Sequence, residues 1–136
     1  MNDVKPKQTN MIDNSRKSIL ARGCDPNLSS WAAKNLPPLI GNPEYVPTTN
    51  DVDFIEKLQS RAWSVVYFAP GACRFSAAKR QIPGGVAKTR GWTLEDYREL
   101  VQQLQGDGVP IVESVEESKS LELLRTALEQ ARETNA

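Results

Sequence analysis

The sequence predicts a small three-layer α/β domain with a short, mainly parallel sheet flanked by helices. Three observations carry that expectation. Residues 63–69 are β-branched and aromatic without strict alternation, as in a strand covered on both faces, and residues 109–113 form a second short run of the same kind. Amphipathic helical patterns stand before, between and after these two strands. A strand that returns after a helical crossover is normally parallel to its predecessor. A chain of 136 residues, 39% hydrophobic and 25% charged, suits one domain with a single core.

Taken in order, residues 1–28 are rich in Asn, Lys, Ser and Asp, with a weak apolar cluster at Met11, Ile12, Ile19 and Leu20. They are expected to form a flexible polar tail that is dispensable for folding. Residues 29–136 make up the domain. Within it, Pro37, Pro38, Pro43 and Pro47 end any helix begun at 31–35, so 29–49 is read as a segment wrapping the core, anchored by Trp31 and Tyr45. Two strands make a thin sheet. A third is therefore expected from 38–47, or completion by a partner subunit.

Asn50 is placed to cap a helix over 51–61, whose first turn holds Asp51, Asp53 and Glu56, with Val52, Ile55 and Leu58 on one face. Pro70 and Gly71 end the strand at 63–69; residues 72–81 read as a short helix and 82–92 as a loop. Thr93, with Asp96 three residues on, starts a helix carrying Leu94, Tyr97, Leu100, Val101 and Leu104 on one stripe, and Gly106 and Gly108 stop it. Pro110 opens the strand at 109–113. Ser114 and Glu117 have capping-box spacing for a last helix through about Arg132, with Leu121, Leu124, Leu128 and Ala131 facing inward.

Composition narrows the chemistry. There is no histidine, which removes the usual general base, proton shuttle and metal ligand. Cys24 and Cys73 form neither a C-x-x-C pair nor a disulfide framework. No apolar stretch approaches the roughly 20 residues of a membrane-spanning helix, and the first thirty residues lack a secretory core. A cytoplasmic protein without metal or cofactor, and without a membrane partner, is expected.

The net charge of zero conceals a strong asymmetry. Residues 73–92 hold five bases and no acid, whereas 93–136 hold four bases and ten acids. Open α/β sheets bind ligands beyond the carboxyl ends of their strands, and the strand at 63–69 runs into this basic segment. Gly71 would let a backbone approach an anion, and Arg74, Lys79, Arg80, Lys88 and Arg90 supply positive charge. The expected function is accessory and noncatalytic: binding of an anionic ligand, a nucleic acid or a protein partner through the loop 70–92, with Gly71, Arg74, Lys79, Arg80, Lys88 and Arg90 as contacts. The bland reading is that these bases balance the acidic C-terminal helices, within the fold or at a homo-oligomer contact, in a purely structural interaction domain. Trp63, Tyr67, Phe68, Phe75 and Trp92 could stack on bases, although aromatic residues around a buried strand usually build core.

Two local resemblances accompany these readings. Gly84-Gly85-Val86-Ala87-Lys88-Thr89 resembles the end of a phosphate-binding loop of the partitioning-ATPase type, with Ala87 in place of the last glycine. The succession of helix 51–61, strand 63–69, an Ala-Pro turn and Cys73 at a helix start resembles the redox-site half of the thioredoxin fold. That resemblance implies a thiol enzyme with Cys73 as nucleophile and Arg74 stabilising its thiolate.

Overall fold

A computed structural model describes residues 12–135. Four strands, β1 (Ser18–Arg22), β2 (Glu44–Thr48), β3 (Val65–Phe68) and β4 (Ile111–Glu113), form one sheet in the order β2-β1-β3-β4, and every neighbouring pair is parallel. Five helices connect and cover them: α1 (Pro26–Asn35), α2 (Asp51–Ser60), α3 (Pro70–Ala77), α4 (Leu94–Gln105) and α5 (Glu117–Gln130). This is an α/β fold, and none of the described helices is long and apolar enough to cross a membrane.

The two-residue period of the strands sorts the core into two layers. Ile19, Ala21, Val65, Tyr67 and Val112 face α5 and the segment at 36–40, through Ile40, Leu124 and Leu128. Leu20, Val66 and Phe68 face α2, α3 and α4, through Phe54, Leu58, Ala72, Leu94, Tyr97 and Val101. The registers Leu20↔Val46, Leu20↔Val66 and Val66↔Ile111 run the second layer straight across the sheet. Strand β3, buried along its length, shows why 63–69 lacks alternation: both its faces are dry.

The N-terminal third departs most from expectation. Residues 18–22, assigned to a dispensable tail, form β1, a fully buried central strand that pairs with both β2 and β3. Its content of large apolar side chains is low because Ser18, Ala21 and Arg22 occupy three of its five positions, and the tertiary context supplies the burial that SILAR does not advertise. Residues 1–11 of that expected tail lie outside the described residues. A third strand was expected from 38–47; strand β2 covers 44–48, preceded by a 3₁₀ turn at Pro37–Leu39. Glu44 donates inward to the Lys17 carbonyl and the Thr48 carbonyl accepts from Gly23, so the alternate residue Pro47 turns outward on an edge where its missing N–H costs no ladder bond. Trp31 does not anchor the segment: it is 59% exposed on α1.

The caps explain most helix starts. Asn50 accepts the Asp53 amide at 2.8 Å, and the Thr93 amide donates to the Asp96 carboxylate at 2.8 Å. Of the face expected for α2, Leu58 is buried and Ile55 packs against the core, but Val52 is 65% exposed, and Asp51 and Phe54 complete the inward face. The box expected from Ser114 and Glu117 does not form. Ser114 Oγ instead takes the Glu116 amide at 3.1 Å in a local turn, and α5 begins at Glu117.

Candidate functional site

The same period that buries Leu20 sends Arg22, two residues on, into the same layer at the carboxyl end of β1. Arg22 and Asp51 are both 0% exposed. A guanidinium there needs its charge and all its donors matched. Asp51, the first residue of α2, accepts from Nε at 3.0 Å and Nη2 at 2.9 Å; the remaining donors reach the carbonyls of Gly23 and Pro83, the latter at 2.8 Å. The other Asp51 oxygen accepts from Thr89 Oγ1 at 2.6 Å and from the Tyr97 hydroxyl at 2.7 Å. Burial and the adjacent Asp51 carboxylate raise the Tyr97 phenol above its ordinary value.

Two members of this network, Pro83 and Thr89, belong to the segment between α3 and α4. Further bonds hold that segment. The Asp51 amide donates to the Gly84 carbonyl at 2.9 Å, and Thr89 Oγ1 accepts from the Val86 amide at 3.1 Å. Gln81 reaches across the loop, accepting from the Gly91 amide at 2.8 Å, while Ile82 is sunk in the core. Gly84 sits at φ +87°, where a side chain would be strained, and a Cβ there would stand 2.5 Å from the Thr49 carbonyl. The loop is therefore fastened to β1 and α2 at the carboxyl end of the sheet. Between its fixed points it exposes Lys79, Arg80, Lys88 and Arg90.

These four cations form no ion pair among the described residues. Gln81 brings the turn carrying Lys79 and Arg80 against the one carrying Lys88 and Arg90. Arg80 lies over the Phe75 ring at 5.4 Å, and Lys79 holds a left-handed backbone at φ 58° just past α3. Arg74 behaves differently. It pairs with Glu117 at 3.1 Å and donates to the Val115 carbonyl at 2.8 Å, so the expectation of no acid nearby fails for it. Gly71 stands at the crevice between β1 and β3, but a Cβ there would meet Cys24 Sγ at 2.6 Å. Its bareness accommodates a thiol of the neighbouring loop.

Cys73 is 3% exposed and donates to the Phe68 carbonyl at 3.2 Å. Burial pushes its thiol up to about 11, the opposite of the stabilised thiolate expected at a helix start. Cys24, half-buried, is also pushed up by burial. An open cleft of about 560 Å³ lies between α3 and α4, lined by Cys73, Ser76, Lys79, Leu94, Arg98 and Glu113, with Arg98 and Glu113 paired at 2.7 Å. Of the aromatic residues named above, Trp63, Tyr67 and Phe68 are core, and Phe75 and Trp92 pack partly against it. The Gly84–Thr89 run lies between two helices, whereas the phosphate-binding loop it resembles follows a strand.

Sequence reasoning passed over the network itself. Asp51 was read only as a favourable acid at a helix start, and Arg22 was assigned to the tail. The one signal available was the pairing of a strand-end arginine with an acid at the first position of the helix after the next strand. Comparison of the chain with protein-family models, curated proteins and solved structures found no match.

Proposed function

We propose that this protein is a noncatalytic binding domain that takes a phosphate-rich polyanion on the loop 79–90, with Lys79, Arg80, Lys88 and Arg90 as its contacts. One observation carries the reading: a loop bearing four exposed cations, none paired with a carboxylate among the described residues, is fastened through Pro83, Gly84 and Thr89 to the buried Arg22–Asp51 pair. Cations presented on a fixed frame lose little conformational freedom when they bind, and that favours affinity. Arg74, engaged by Glu117, and Gly71, closed by Cys24, stand outside this contact set.

Titration with inorganic polyphosphate and with oligo-thymidylate tests the reading. Binding is expected at low ionic strength, with log K falling linearly in log salt at a slope of about −3 for four neutralised phosphates on a single strand. The double change Lys88→Ala/Arg90→Ala should make that slope shallower by about 1.4 and leave the thermal midpoint almost unmoved, since an exposed charge contributes at most about 1 kcal/mol. Absence of binding at low salt, or a dimer that dissociates in the double variant, would overturn the reading and make the loop a subunit surface.

A further inference from the structure

We propose that Thr89 and Asp51 are positioning residues for polyanion binding: the buried Thr89–Asp51 hydrogen bond holds the cationic loop in its binding-competent shape without touching the ligand. This rests on the function proposed above. Thr89 has its side chain in the core while Lys88 and Arg90, on either side of it, are exposed. Its hydroxyl donates to Asp51 at 2.6 Å and accepts from the Val86 amide at 3.1 Å, so one atom fixes both the depth of the loop and the curl of its 3₁₀ turn at Ala87–Thr89. Asp51 is fixed in turn by Arg22, and its own amide holds Gly84 at 2.9 Å. The spacing of Lys88 and Arg90 relative to Lys79 and Arg80 thus depends on a carboxylate outside the loop. Tyr97 supplies an internal comparison. It donates to the same Asp51 oxygen at 2.7 Å, but from α4 rather than from the loop.

The experiment compares Thr89→Val, Thr89→Ser and Tyr97→Phe with the unaltered full chain, titrated with inorganic polyphosphate over a range of salt at a temperature well below every melt. Thr89→Val keeps shape and removes the hydroxyl. It should bind roughly five- to tenfold more weakly, the penalty of ordering one or two long side chains, and its salt slope should fall by about 1 because fewer phosphates are engaged together. Thr89→Ser should restore both quantities. Tyr97→Phe loses a bond to the same carboxylate and should lower the thermal midpoint while keeping wild-type affinity and slope. A folded Thr89→Val protein with wild-type affinity and slope would overturn the positioning role and leave the binding function standing. So would Tyr97→Phe weakening binding as much as Thr89→Val, because the network would then act only through stability. Failure of the unaltered protein to bind polyphosphate would overturn both proposals. If Thr89→Val does not fold, Asp51→Asn with Thr89→Ser as the folded partner provides the same comparison: equal affinity in both overturns the role.

Discussion

At the carboxyl end of β1, Arg22 occupies a place that strand geometry assigns to the core, and its cost is met by Asp51 and two backbone carbonyls. Taking two charges out of water is expensive, so such a pair contributes modestly to stability as a whole, whereas removal of one partner strands the other. Asp51→Ala should destabilise the protein by roughly 3–5 kcal/mol in urea unfolding, because Arg22, Thr89 and Tyr97 all lose their acceptor. The double change Arg22→Met/Asp51→Leu should recover a substantial part of that loss, leaving mainly two orphaned hydroxyls. A double variant no more stable than Asp51→Ala alone would show that the pair stabilises the fold outright.

Among the elements, β1 has the largest consequence for its length. Its five residues, all buried, pair with β2 on one side, and four of them, Ile19 to Arg22, pair with β3 on the other. Without β1 the sheet loses its centre: β2 has no neighbour, and Val65–Phe68 faces water along one edge. Deletion of residues 1–28 should therefore abolish the cooperative melt, in contrast to the dispensable tail that composition suggested. A truncated chain that still melts cooperatively near the full-length midpoint would mean that β1 is not integral to the sheet. The helices are more forgiving because local caps support them, such as Asn50 on the Asp53 amide, and one cap contributes only about 1 kcal/mol.

At the scale of the molecule, burial sets the response to pH. The Cys73 thiol is pushed from its ordinary 9.0 up to about 11, and the phenols of Tyr45, Tyr67 and Tyr97 are raised above their ordinary 10.0, all mainly by burial. Above pH 9 the unfolded chain releases these protons first, so the native state binds more of them and stability falls as pH rises. The contribution is complete below about 9 and is lost as pH passes through each folded value. The acid side works in the opposite sense. Glu44, held below its ordinary 4.5 chiefly by the Arg61 guanidinium, stabilises the fold above that value and less as pH falls through its folded one. Urea midpoints should therefore stay level through neutral pH and decline steadily from pH 9 to 11. A flat alkaline limb would contradict the burial of these groups.

Several features were determined by the sequence alone. The strand expected at 63–69, which forms over Val65–Phe68, was legible because a run dry on both faces needs no partner to be recognised, and α2 and α4 were legible from Asn50, Thr93 and their stripes, since caps and helical periodicity are short-range properties. The asymmetry of charge that marks 79–90 is likewise a property of the linear chain. The tertiary structure decided what depends on distant neighbours. It turned SILAR into a central strand by flanking it with β2 and β3, and rotated α2 so that Asp51 rather than Val52 faces inward. It paired Arg74 with Glu117 across 43 residues and buried Cys73 until its thiol rose instead of falling. The network of Arg22, Asp51, Thr89 and Tyr97 belongs wholly to this second class. Its members lie on four separate segments, and the force that selects them, the cost of an unmatched charge in a dry core, exists only once the layers have closed.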